Sequence, residues 1–385
     1  ILIKSCGSRM LLLAAAAALG AGAPTGCPVS AGAAGRDLSA TDLADIDSFC
    51  GFISGFGRSY GSATEAWGKF AVFQSNLRVA EALQREADAK NYSVEYGVTK
   101  FSDWTQEEFR AVMTYRGPGY PKTPDYPMTY IRQPPAGSTP PATMDWRTKG
   151  VLTKVRDQGQ CGDCWAFSAT EEVESMAAMA GLPLQELSVQ EVTSCDRHSN
   201  WHCPDDDDCR NVDAGCNGGD PVFGSLFICN TTRGLSSERD YPFESGKRGK
   251  TGECDKPRTP QVDLKCKGFS WAVAPCDKGE CNDQNETLLM ANIAAYGPAG
   301  ISVDAGGAGW QNYRSGIMPP AHCKSPAVNK LDHAVQLVGY GEEAGQKYWI
   351  VRNSWNTDWG EDGFIRFHMG QNACGLADQP FFVDF

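Results

Sequence analysis

The sequence predicts an α+β protein in two blocks, on three observations. Apolar residues recur at helical spacing up to about Gly224, whereas the stretches after Lys265 alternate with the period of half-buried strands. A separate helical block runs from about Asp42 to Phe109. Between it and the rest lies Arg116 to Pro141, so rich in Pro and Gly that extended, hydrated backbone is favoured over a packed element. At 385 residues the chain can bury a sizeable core in one large domain or two modest ones.

The N-terminal stretch reads as a secretory signal peptide: Lys4 and Arg9 precede an apolar run from Met10 to Leu19, followed by small residues at 21–23 and 31–33. Pro24 makes cleavage directly after Ala23 awkward, so a site nearer Ala34 is equally expected, and the true start is Met10 or lies upstream. The apolar run is too short to stay in a bilayer, and we expect a soluble mature protein without a membrane partner. A net charge of -12 and a pI near 5.0 argue against a nucleic-acid partner, because phosphate binding needs Lys and Arg clusters. Sixteen cysteines spread along the chain point to disulfides and an oxidising compartment. Sequons at Asn91, Asn230 and Asn285 fit a glycosylating lumen.

In the first block Glu65, Lys69, Phe73, Asn76, Ala80 and Gln84 fall three and four apart, on one face of a helix. Residues 96–109 follow as YGVTKFSDWTQEEF. Together these resemble the inhibitory propeptide of papain-like proteases, in the variant associated with cathepsin F, with Lys69 where Arg is usual. The resemblance implies a small helical domain whose tail runs through an active-site cleft against the substrate direction, an inhibitor carried by its own enzyme. The Pro/Gly-rich run would then be the removal site.

The second block centres on QGQCGDCWAFS, Gln158 to Ser168. Ala166, Ala169, Val173, Met176 and Ala180 predict a helix from Cys164 to Ala180, ended by Gly181. Cys164 at its N-terminus gains from exposed amide donors and the helix dipole, which lower a thiol's pKa. Another helix is predicted from Ser188, where S-V-Q-E supplies a capping box. On these residues alone Cys164 is a nucleophile, half of a redox pair, a metal ligand or a structural thiol.

Amide cleavage also needs a proton donor for the leaving amine. Of five histidines, His198, His202, His322, His333 and His368, only His333 has fitting surroundings. It opens LDHAVQLVGYG, and KYWIVRNSW follows after GEEAGQ, which reads as a hairpin. Pairing Tyr340 with about Lys347 brings His333 opposite Asn353 or its neighbour, where Asn353 can fix the imidazole tautomer. Gln158 adds an amide donor upstream of the thiol.

With these residues in view, DQGQCGDCWAFS, SCDR, GCNGGDP, LDHAVQLVGYG, YWIVRNSWNTDWGEDGFIRF and CGLAD resemble papain and the cathepsins across Pro141 to Phe385. The resemblance implies a papain-like two-lobed α+β peptidase: a helical half with Cys164, a barrel-like half with His333 and Asn353, and a cleft between. It makes Cys164 the nucleophile, His333 the general acid/base, Asn353 its orienter and Gln158 an oxyanion donor beside the Cys164 N–H. Trp355 would shield the His to Asn bond. Gly218, Gly219, Pro221, Leu331 and Asp332 would contact substrate, with Ser302 and Gln379 near the pocket for the residue two before the cut. Implied disulfides are Cys161 to Cys216, Cys195 to Cys254, and Cys323 to Cys374. The thirteen cysteines of this block are an odd number, which leaves one thiol free.

The expected domains are 1–34 signal peptide and flank, 42–109 inhibitory propeptide, 110–141 activation linker and 142–385 peptidase. The expected protein is a secreted or lysosomal cysteine endopeptidase made as a zymogen. It would be a monomer acting on proteins or peptides, without cofactor or metal. A proteolytically inactive papain-fold binding protein is the alternative, though such relatives lose the Cys, His or Asn. A C-x-x-C oxidoreductase lacks its βαβ context.

Departures from the family pattern are Asp163, where Ser or Ala is usual, and two insertions, Asp196 to Gly215 and about Cys266 to Gln284. Asp163 could oppose the thiolate or favour a basic substrate residue in an adjoining pocket. The first insertion holds Cys203 and Cys209 and the second Cys276 and Cys281; each is expected to carry its own disulfide, with the pairing of these cysteines and of Cys229 and Cys266 left open. The Cys, His and Asp residues of the first make a metal site a minor alternative. The first insertion does not resemble the histidine-bearing loop of cathepsin B, which favours cleavage within chains.

Overall fold

The computed structural model describes residues 27–30, 37–114, 130–196, 214–231, 234–255, 262–276, 281–323 and 330–385. They fall into two compact units, one up to Gln74 and one from Ser75 onward.

In the first unit, α1 (Ala40–Gly55) starts at a reciprocal capping box: the Ser39 hydroxyl accepts from Asp42 N, and the Asp42 carboxylate accepts from Ser39 N. Buried Phe49 and Phe52 meet Phe70 and Phe73 from the start of α2 (Ala63–Ala89), with Phe49 to Phe73 centroids 5.2 Å apart. A disulfide ties Cys27 to Cys50 of α1.

In the second unit the rest of α2 precedes β1 (Glu95–Tyr96) and α3 (Gln106–Met113). Then come β2 (Met144–Asp145), α4 (Cys164–Met179), α5 (Val189–Cys195), α6 (Pro221–Asn230) and α7 (Ser245–Arg248). The remainder is β3 (Gly268–Trp271), α8 (Glu286–Tyr296), β4 (Ala299–Val303), α9 (Ala308–Gln311), β5 (Tyr313–Ser315), β6 (Ile317–Met318), β7 (His333–Glu343), β8 (Gln346–Arg352), β9 (Phe364–His368) and β10 (Phe381–Asp384). Among the described residues, one sheet runs β3-β10-β4-β7-β8-β9-β6 with β2 added on β7, and β1 pairs with β5. Two helices, α8 and α9, interrupt the part predicted as purely alternating.

Buried α4 lies on α6 and β7. A Cβ on Gly224 of α6 would come within 2.9 Å of Ala169 and 3.1 Å of the Trp165 ring, so glycine lets the two helices approach. Toward the sheet, the Ser168 hydroxyl donates to Val335 O at 2.9 Å, and Gln336 Nε2 donates to Glu171 O and Ser175 Oγ at 3.1 and 2.9 Å. These bonds fix α4 against β7, so the first residue of each, Cys164 and His333, meet at one end. A buried ion cluster, Arg156 with Glu174 at 3.1 Å and Arg352 with Glu171 at 3.3 Å, anchors the segment leading to Gln158.

Three expectations need correction. The β7–β8 hairpin is tighter than predicted: Tyr340 faces Trp349, Glu343 faces Gln346, and a register shift lies between Leu337 and Gly339. Ser188 caps α5 through Glu191 N, but the Glu191 carboxylate accepts from Ser236 N at 2.8 Å, leaving the box half made. The 110–141 stretch is not all solvated linker. Residues 110–113 belong to α3, and 130–141 dock on the sheet: Ile131 bridges Trp271, Arg132 pairs with Asp384 at 2.5 Å, and Tyr340 donates to Pro141 O.

Disulfides join Cys161 to Cys216, Cys195 to Cys254, Cys323 to Cys374 and Cys276 to Cys281, and also Cys229 to Cys266, for which no partner was predicted. Cys203 and Cys209 lie outside the described residues. Among the described cysteines Cys164 is the free thiol, and it is buried. No helix among the described residues is long and apolar enough to cross a membrane.

Candidate active site

Cys164 is the first residue of α4, after Asp163 at the N-cap position. Burial pushes its thiol up to about 12, against the pull of the Ala334 backbone, while the Asp163 and Asp332 carboxylates push the same way as burial. The Ala334 contact shows where the sulfur points: to the residue directly after His333.

His333 opens β7 and pairs with Val303 of β4, so its partner Asn353 does not reach it through the strand ladder. Instead Asn353 leaves β8, donates its backbone N–H to Gly363 O at 3.0 Å, and turns its side chain to the imidazole. His333 Nε2 lies 2.8 Å from Asn353 Oδ1, which also accepts from Ser354 N at 2.8 Å. An oxygen already accepting there requires Nε2 to donate, so the lone pair sits on Nδ1. That Nδ1 is buried with no hydrogen-bond partner among the described residues. Burial pushes the imidazole down to about 4, opposed by the Asn353 bond.

Trp355 covers the pair, its ring 4.8 Å from His333 and inclined at 30°. Its Nε1 donates to Gln158 Oε1 at 3.1 Å, as does the Ser354 hydroxyl at 2.7 Å. With the oxygen doubly engaged, the Gln158 amide nitrogen faces the Cys161 turn and donates to Cys161 O at 3.0 Å. Ser354 thus steadies Gln158 through its hydroxyl and Asn353 through its N–H, a role the sequence did not signal.

The other predicted contacts are spread around this centre. Gly218 (φ 116, ψ 175) occupies backbone space open only to glycine, and Pro221 is the first residue of α6. Asp332 Oδ1 accepts from Ala305 N at 2.7 Å. Leu331 is buried beside Cys276 and Cys281. Ser302 pairs with Ala334 across β4 and β7, and the buried Gln379 Nε2 has no partner among the described residues. Gly219 adjoins the Asp220 cap of α6.

Of the two roles expected for Asp163, the opposition to the thiolate agrees with its upward push on the Cys164 thiol. Its carboxylate turns into the α5 side, where Thr193 Oγ1 donates to Oδ2 at 2.8 Å, and burial pushes its pKa well above the usual carboxylate range.

Residues 101–114 pack against the site. Phe101 and Phe109 meet the Trp355 ring edge-on, each with centroids 5.4 Å away. Gln311 Nε2 donates to Phe101 O and Trp104 O, Arg110 Nε donates to Gly306 O at 2.7 Å, and Thr114 O comes within 3.5 Å of where a Gly162 Cβ would be. Farther out, the Tyr96 hydroxyl and His322 Nδ1 share a 2.6 Å bond.

Comparison with known proteins bears on the family. Residues 140–383 match the papain family cysteine protease domain, and residues 49–109 match the cathepsin propeptide inhibitor domain. The chain belongs to the papain family. It is 33% identical over 359 residues to a senescence-specific cysteine protease of Oryza sativa subsp. japonica, covering 92% of this chain and 94% of that one. It is 36% identical over 330 residues to a cysteine proteinase of Trypanosoma brucei brucei, covering 85% and 64%. Digestive procathepsin L 3 of the Tenebrio molitor larval midgut superposes with a TM-score of 0.71 at 27% identity, covering 89% of this chain and 99% of that one. This papain-family chain is a cysteine-type peptidase carrying its propeptide, a zymogen.

No group of three or more His, Cys, Asp or Glu side chains able to hold a metal ion occurs among the described residues. The His and Asp cluster of the first insertion lies outside them.

Proposed function

We propose that this zymogen becomes an endopeptidase whose nucleophile is Cys164 and whose general acid/base is His333. The thiol passes its proton to Nδ1, and the sulfur adds to the scissile carbonyl carbon. The oxyanion takes hydrogen bonds from Gln158 Nε2 and the Cys164 N–H. The C–N bond breaks as the imidazolium protonates the departing amine, leaving a thioester. Water, deprotonated by His333, cleaves the thioester and restores the thiol. The observation carrying this reading is His333, with Nε2 committed to Asn353 and a buried, unpartnered Nδ1, next in the chain to Ala334, whose backbone holds the free Cys164 thiol.

The Glu65 to Gln84 helix and residues up to Thr114 serve as intramolecular inhibitor. The removed segment ends before the docked residues 130–141. The chain passes through the secretory pathway to a lysosome-like or extracellular site, with a leader cut before Cys27, where the Cys27–Cys50 disulfide supports the boundary. Hydrolysis of a peptidyl dye amide by the processed enzyme tests the catalytic reading. Wild type turns over, Cys164→Ala is inactive, and Asn353→Ala loses about 10- to 100-fold in kcat/KM. Unaltered turnover by Cys164→Ala contradicts it.

A further inference from the structure

Lys100 belongs to the propeptide, yet its ammonium is seated on acceptors of the peptidase. Nζ donates to Trp355 O at 2.9 Å and to Asp157 Oδ2 at 3.1 Å, and lies 2.9 Å from Asp358 Oδ1. Only 16% of the lysine side chain is exposed. Peptidase backbone bonds hold two of these acceptors, Asp157 and the Trp355 carbonyl, in place. Asp157 and Trp355 form an antiparallel bridge, and Gln158 N donates to Ser354 O at 2.8 Å. Two carboxylates and a main-chain carbonyl therefore converge on one point, and the cation occupying it identifies the class of ligand.

The position gives that ligand a role. Trp355 stacks on His333, the group that protonates the departing amine, so the amine half of a substrate leaves over the Trp355 side of the cleft. Removing the propeptide vacates the Lys100 position on that side. We propose that Asp157, Asp358 and the Trp355 carbonyl form a cation-reading subsite that takes a Lys or Arg side chain on the C-terminal side of the scissile bond. This inference rests on the catalytic reading above.

Asp157 and Asp358 are 40% and 45% exposed, so solvent and salt screen the attraction and the preference is moderate. The test uses processed enzyme and quenched peptides with one acyl half, carrying Lys or Glu at each of the positions following the cut. We expect one position to favour Lys over Glu by about 3- to 10-fold in kcat/KM at low salt. The ratio shrinks in about 0.5 M NaCl, falls in Asp358→Asn, and reaches parity in Asp157→Asn/Asp358→Asn. Each ratio is taken within one enzyme, so a general loss of activity does not affect it. A peptidyl dye amide, with no residue beyond the cut, reports the catalytic reading separately. Equal Lys and Glu rates with the dye amide turned over would overturn the subsite alone. A wild-type enzyme inert toward the dye amide would overturn the catalytic reading and the subsite with it.

Discussion

Cys164 and His333 enter the covered site in their neutral forms, because burial raises the thiol to about 12 and lowers the imidazole to about 4. On the proposed mechanism, uncovering the cleft returns water and lets the proton move from sulfur to Nδ1. Asp163 adds to the thiol's reluctance, but from the α5 side. We predict that Asp163→Ser lowers the Cys164 pKa, read as a downward shift in the pH profile of alkylation, and leaves the residue preference beside the cut unchanged in a peptide library. A changed preference would contradict the orientation toward Thr193.

We predict that His322 contributes a pH dependence to propeptide docking. Burial holds its imidazole below the ordinary value of 6.5, Glu86 at 3.7 Å pulls the other way, Lys90 adds to the lowering, and Tyr92 and Tyr96 pack against the ring. A base whose pKa is depressed on docking binds fewer protons docked than released. Its contribution to docking is therefore complete above about pH 6.5 and is lost as the pH falls below that value. Processing of wild type should accelerate between pH 7 and pH 5, and His322→Gln should flatten that dependence; an identical pH profile in the variant would exclude His322 as the sensor. Lys100 and His322 were not legible as interface residues, since their partners are remote in the chain, Trp355 at a separation of 255 and Tyr96 at 226.

At the scale of elements, the sequence carried α4 and the β7–β8 hairpin well, because apolar period and turn residues are local properties. Register was less legible. The shift between Leu337 and Gly339 moves the pairing, and Asn353 reaches His333 only by leaving its strand. The resemblance supplied that pairing, where strand arithmetic alone gave a neighbourhood. The docked stretch 130–141 was hidden by its composition. Arg132 holds it by pairing with Asp384, by packing 4.8 Å from the Tyr296 ring centroid, and by accepting from Asn292 Nδ2 through its carbonyl at 2.8 Å. The mature N-terminus should thus lie before Tyr130, as intact mass will show. Arg132→Ala should permit trimming toward Pro141, whereas a wild-type N-terminus at Pro141 would contradict the docking.

At the scale of the molecule, sequence and fold agree on a peptidase held closed by its own N-terminal segment. Phe101 and Phe109 against Trp355 give about 0.5–1.5 kcal/mol each beyond their buried area, which makes the indole covering His333 also the seat of the inhibitor. On the proposed mechanism, release of that segment and activation of the thiol are one event. The most direct test is the pH dependence of iodoacetamide alkylation of Cys164, read by intact mass before and after propeptide removal. The processed enzyme should react with an apparent thiol pKa well below the ordinary value of about 8.5, the zymogen should resist, and His333→Ala should return the processed enzyme to about 8.5 or above. Processed wild type titrating at about 8.5, indistinguishable from His333→Ala, would contradict the thiol and imidazole pair on which the account rests.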